Sequence, residues 1–189
     1  MNSAGHDLAQ VGTRERLKKA QAAFDANAPY ACGAIVNGKM KTLAPLDNVS
    51  PVDLEFVVSQ CRDADGNDVS NAMEIAKAAQ PKWDAKGGAE RAEILRKMAD
   101  ALEANTDYLL ALMARETGKT LLDGIAEVRE AVDFLRYYAV EAETKFGDPV
   151  RLPGPAGETN HLELKGRGVF VCISPWNFPL AIFTGQLAA

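Results

Sequence analysis

The chain has 189 residues, 21 basic and 26 acidic side chains, a net charge of −5 and 47% hydrophobic content. These are ordinary globular values. They exclude a polyanion binder, which needs an excess of Lys and Arg, and a disordered chain, which has too few apolar residues to bury a core. Residues 7–28 read as a helix with Leu17 and Phe24 on one side. Arg14, Arg16, Lys18 and Lys19 lie on the other, a solvated face rather than an anion patch in so acidic a chain. Asn27 to Pro29 ends this helix. Ala34 to Val36 before Asn37-Gly38 reads as a strand and turn, and Leu54 to Cys61 as another strand, closed by Asp65 to Asn67.

Residues 68–146 are helical in pattern, with breaks expected at Pro81 and at Gly87-Gly88. Leu95, Met98 and Leu102 form one stripe, and Leu109, Leu112 and Met113 another. The longest helix starts near Thr120 and carries Leu121, Ile125, Val128, Val132, Leu135 and Ala139 on one face. Phe134 and Tyr138 make a second apolar face, so this helix is expected to be covered on two sides. Residues 147–158 read as a Pro/Gly-rich connection, followed by short strands near 159–164 and 169–173. The unbroken apolar run Val169 to Ile173 fits a strand buried on both faces of a parallel sheet. Pro179 suits the first turn of a helix over Leu180 to Ala189. One buried parallel strand and one helix are only the opening of an α/β domain, so the chain reads as a fragment.

Chemical signals are few. Cys32, Cys61 and Cys172 are scattered and odd in number, which suits free thiols in a reducing, cytoplasmic setting. Cys172 is expected to be buried in its strand. His6 and His161 have no metal-ligand spacing with any cysteine. Residues 1–20 lack the apolar core of a signal peptide. The uncharged stretch 169–189 is too interrupted by proline and polar residues to be a membrane anchor. Gly118-Lys119-Thr120 lacks the upstream glycine and the strand of a phosphate loop, and no G-x-G-x-x-G occurs. The best candidate is Ser174 to Pro179, directly after a strand's carboxyl end, where open α/β sheets place ligands. Flanking prolines stiffen it. Asn177 is then either a fixed amide donor for a developing oxyanion or the cap of the next helix, and the residues alone do not choose.

The stretch Val171 to Gln186, VCISPWNFPLAIFTGQ, resembles the motif that opens the NAD-binding domain of aldehyde dehydrogenases, in the form found in bacterial bifunctional proline utilization A proteins. Glu116 to Thr120, Ala126 to Ala139, Glu90 to Ala92 and Asn2 to Leu8 are similar to that family too. The resemblance spans nearly the whole chain. It implies an α/β aldehyde-dehydrogenase-like piece: a linker helix over 1–29 after a proline dehydrogenase domain, N-terminal strands and helices of the NAD-binding domain over 30–146, part of an oligomerisation flap over 147–167, and the first strand, loop and helix of the Rossmann-like core over 168–189.

In activity, the resemblance implies oxidation of L-glutamate γ-semialdehyde to glutamate with NAD+ in proline catabolism. The parent would also oxidise proline with FAD, form a homo-oligomer and associate peripherally with membrane, with no nucleic-acid contact from this segment. In the family a cysteine thiolate attacks the aldehyde, hydride passes to NAD+, and a glutamate-activated water hydrolyses the thioester. Asn177 matches the oxyanion donor. Ile173, Ser174, Pro175 and Trp176 match residues beside the nicotinamide ribose, and Phe178 a wall of the aldehyde tunnel. Glu130 aligns with a position that could meet the substrate ammonium, or is an ordinary exposed glutamate. The family's catalytic cysteine and glutamate are not matched within these 189 residues, so the chain alone is expected to be inactive. A separate aldehyde dehydrogenase of other specificity, and a non-enzymatic helical interaction module, are the competing expectations.

Overall fold

The computed structural model describes residues 2–41 and 45–189. Helix α1 (Val11–Asn27) is followed by β1 (Tyr30–Gly33), the hairpin β2 (Ile35–Val36) and β3 (Lys39–Met40), then β4 (Leu46–Ser50) and β5 (Asp53–Arg62). Four helices follow: α2 (Gly66–Asp84), α3 (Gly87–Ala104), α4 (Thr106–Glu116) and α5 (Leu121–Lys145). A second hairpin, β6 (Val150–Leu152) and β7 (Asn160–Leu162), and α6 (Ala181–Ala188) complete it. The sheet has the order β1-β5-β4, with β1 parallel and β4 antiparallel to β5.

The α5 stripe is the centre of the molecule. Ile125, Val128, Val132, Leu135 and Ala139 are buried, together with Leu17 of α1, Ala99 of α3 and Leu110 and Met113 of α4. Leu121, the first residue of the stripe, is exposed. Phe24, Val58 and Ala111 pin the sheet to α1 and α4. Asp25 and Arg115 add a two-pronged ion pair between those two helices, which holds the Asp25 carboxyl below its ordinary range. Arg14, Arg16, Lys18 and Lys19 are all exposed, so the basic cluster is a solvated face, and Arg16 adds a second α1–α4 ion pair with Asp107 beside its contact with His6.

Helix ends follow local chemistry. Asp65 caps α2 through a capping box with Asp68. Thr120 caps α5 by accepting from the Asp123 N–H. Pro81 does not break α2, which runs on to Asp84. A proline one turn from a helix end costs only a bond near that end, and the break falls at Ala85-Lys86 instead. A further break separates α3 from α4 at Asn105, whose side chain turns back onto the Ala101 carbonyl.

At Gly88, α3 and α5 touch backbone to backbone. Its N–H donates to the Phe146 carbonyl at 3.0 Å, and a Cβ there would run into the carbonyl oxygens of Ala142 and Phe146. Gly88→Ala is therefore expected to lower stability by about 1–3 kcal/mol, as overpacked sites do, read as a lower denaturant midpoint with an unchanged slope.

Three expectations are corrected. Cys32 and Cys61 are not free thiols: the parallel register of β1 and β5 places them side by side, with Cα atoms 4.7 Å apart, and they are joined in a disulfide. Residues 169–173 are not a buried strand. No strand among the described residues pairs with them, and Phe170, Val171 and Ile173 are exposed; a parallel strand takes both its ladder and its cover from neighbours. Cys172 is exposed with them, its Sγ 3.5 Å from the Gln186 carbonyl. The 147–158 connection also contains β6, held between Pro149 and Pro153 and paired with β7. Among the described residues no helix is long and apolar enough to cross a membrane, and no cluster of metal-ligating side chains occurs.

Candidate active site

A cleft of about 380 Å³ opens between the α4–α5 turn, the first three turns of α5 and the loop before α6. Its walls include Glu130 from α5 and Trp176, Asn177 and Phe178 from the loop, so four of the residues singled out in the sequence meet there. Ile173, Ser174 and Pro175 lie outside this cleft, on the irregular stretch leading to it. Ile173 is 82% and Trp176 80% exposed. The Ile173 carbonyl accepts from the Gln186 side chain at 3.1 Å, which ties the stretch to α6. Glu130 is exposed and has no partner among the described residues.

Two residues of the cleft, Glu127 and Lys119, make contacts that the sequence analysis did not anticipate. Glu127, on α5, is buried with its side chain 1% exposed, and one carboxylate oxygen accepts the N–H groups of Leu180 and Ala181 at 2.8 and 3.2 Å. A carboxylate at the start of a helix meets unsatisfied N–H donors and the positive end of the helix dipole. Its other oxygen is ion-paired with Lys119. Lys119 leaves the turn after α4, where Gly118 adopts a left-handed φ of 67° that side chains disfavour. The ammonium donates to the Asn177 carbonyl at 2.8 Å and lies 4.8 Å from the centre of the Phe178 ring.

These contacts remove one of the two roles left open for Asn177, that of helix cap. The N-cap position of α6 is Leu180, with no side-chain cap bond, and Glu127 takes the first two free N–H groups, those of Leu180 and Ala181. Asn177 therefore does not cap the helix. Its main-chain carbonyl is held by Lys119, its carboxamide has no partner among the described residues, and the residue lines the cleft. Nearby, burial pushes the Glu116 carboxyl above its ordinary range.

The sequence carried a signal for Glu127. Gly124, Glu127, Val128, Ala131, Val132 and Leu135 follow the helical i, i+3, i+4 pattern, and all are buried. A glutamate inside such a face needs a buried partner.

Residues 39–189 match the model of the aldehyde dehydrogenase family. Over the whole chain the sequence is 38% identical to the bifunctional protein PutA of Escherichia coli (strain K12), of which it covers 13%. It is 33% identical to the 1-pyrroline-5-carboxylate dehydrogenase of Bacillus subtilis (strain 168), over 82% of this chain and 30% of that one. Among solved structures, the fold matches proline utilization A from Bdellovibrio bacteriovorus, inactivated by N-propargylglycine, with a TM-score of 0.94 and 32% identity, over all of this chain and 20% of that one. It matches the 1-pyrroline-5-carboxylate dehydrogenase from Thermus with bound NAD with a TM-score of 0.93 and 26% identity, covering 37% of that chain. The 189 residues thus span a minor part of each relative's length, and the α/β arrangement is that of the aldehyde dehydrogenase fold. The chain belongs to the aldehyde dehydrogenase family.

Proposed function

We propose that this chain is part of an enzyme that oxidises L-glutamate γ-semialdehyde to glutamate with NAD+ in proline catabolism. The observation that carries the proposal is the unbonded Asn177 carboxamide in a cleft with Trp176, Phe178 and Glu130. The names of the PutA and 1-pyrroline-5-carboxylate dehydrogenase relatives support the substrate, and the NAD-bound Thermus structure supports the cofactor. The PutA likeness also supports a flavin-dependent proline oxidation in the full-length protein. The exposed apolar residues of the β6–β7 hairpin, Val150, Leu152 and Leu162, support a homo-oligomer formed there.

Each residue has a role in this chemistry. When a thiolate adds to the aldehyde carbon, the carbonyl oxygen gains negative charge. Asn177 donates an amide hydrogen bond to it, and a donor already in place needs no reorganisation. Phe178 walls the aldehyde side and excludes water. The Glu130 carboxylate faces the substrate ammonium. Residues Ile173 to Trp176 fit a cofactor: they belong to no helix or sheet and expose two large apolar side chains on which a nicotinamide ribose can rest. NAD+, when bound, supplies the hydride acceptor. The thiol comes from outside the cleft residues described, since Cys32 and Cys61 are bonded to each other and Cys172 does not line the cleft.

In a test with the full-length protein, NADH formation is followed with L-glutamate γ-semialdehyde and with an unbranched aldehyde lacking the amino acid group. Glu130→Gln is expected to raise KM for the semialdehyde by about tenfold, the scale of one charge-assisted hydrogen bond, and to leave the plain aldehyde unchanged. Residues 1–189 alone are expected to form no NADH. Equal effects on both aldehydes would remove Glu130 from the site, and turnover by 1–189 would remove the need for an outside thiol.

A further inference from the structure

Lys119 is the only cation among the described residues lining the cleft, beside the carboxylates of Asp123, Glu127 and Glu130. A lysine in such a place could await an anionic ligand, but this one is already engaged. Glu127 holds its ammonium from within, the Phe178 ring covers one side, and the Asn177 carbonyl accepts from it. Glu127 is in turn fixed by the two N–H groups that begin α6. The contacts form one chain from buried helix α5 to the main chain of residue 177. Pro175 and Pro179 restrict the backbone on either side. What remains free at Asn177 is the rotation of its side chain.

We propose that Lys119 and Glu127 are positioning residues, which brace the main chain at Asn177 so that its carboxamide stands in the cleft before any substrate arrives. This rests on the aldehyde-oxidising function proposed above, and specifically on Asn177 as the oxyanion donor. A brace of this kind acts through Asn177 and nothing else, so its removal must be felt in kcat and must lose its effect when Asn177 is gone. A lysine that bound a ligand directly would instead be felt in KM, whatever stood at 177.

A double-mutant cycle in the full-length protein separates these cases. Lys119→Met is expected to lower kcat by about 10- to 100-fold, the scale of a displaced reacting group, with KM for aldehyde and NAD+ within about twofold. In an Asn177→Ala background the same substitution is expected to cost no more than about twofold. Lys119→Arg keeps a cation and a donor and is expected to retain most of kcat. Should Lys119→Met fail to fold, Lys119→Gln in the same cycle is read by the same criteria. An equal loss in both backgrounds, no loss in either, or a rise in KM at constant kcat overturns the brace while leaving aldehyde oxidation standing. If Asn177→Ala keeps the unmodified protein's kcat, the donor role fails and the brace fails with it.

Discussion

Replacing Asn177 by alanine in the full-length protein is expected to lower kcat for the semialdehyde by about 10²- to 10³-fold, the cost of one oxyanion donor. The carboxamide is not used to hold the loop. Lys119 takes the residue's carbonyl and Glu127 takes the helix N–H groups, so nothing in the fold depends on the amide itself. Stability is therefore expected to stay within about 0.5 kcal/mol, as for other surface substitutions. Loss of kcat with an unchanged melt is the signature of a group used only in the transition state. A fall in melting temperature with kcat retained would mark Asn177 as structural. Asn177→Asp separates the matter further, because a carboxylate is isosteric but cannot donate when ionised. It is expected to be at least as damaging as alanine.

The second large effect falls on two glutamates three residues apart on α5. Glu127→Ala strips a buried carboxylate from Lys119 and from two helix N–H groups at once. Breaking a buried pair by removing one partner costs about 3–5 kcal/mol, because the remaining charge stays buried without compensation. At the scaling for units of 150–250 residues that is a fall of roughly 6–20 °C in melting temperature. Glu130→Ala removes an exposed side chain with no partner and is expected to change stability by less than about 0.5 kcal/mol. Thermal melts of the two variants side by side check this. Equal melting temperatures would contradict the role assigned to Glu127.

The parts of the fold that sequence reasoning reached are those set by local periodicity. The α5 stripe is buried as its spacing required, apart from Leu121 in the first, exposed turn, and Thr120 caps where a threonine before an apolar run should. The parts it missed depend on neighbours distant in the chain. Cys32 and Cys61 stand 29 residues apart and meet only through the parallel register of β1 with β5. The apolar run at 169–173 fits a strand covered on both faces, but periodicity says nothing about whether covering strands are at hand. Pro81 was given a breaker's weight that a helix end does not grant it. The loop at 174–179 stands out in the sequence by its own prolines, although the strand expected to lead into it is not formed. Lys119 and Glu127 do not stand out, because their importance lies in each other. Glu127 is two turns into a helix, and its partners are a turn eight residues before it and a helix start more than fifty residues after it.

The central claim is chemical, and one measurement reaches it most directly. The full-length protein is given L-glutamate γ-semialdehyde and NAD+, and NADH and glutamate are both quantified over time. Their appearance in equal amounts, at a rate that falls when Asn177 is replaced by alanine, is the expected result. Glutamate or NADH formed at the same rate without the Asn177 carboxamide, or neither product formed at all, would contradict the account.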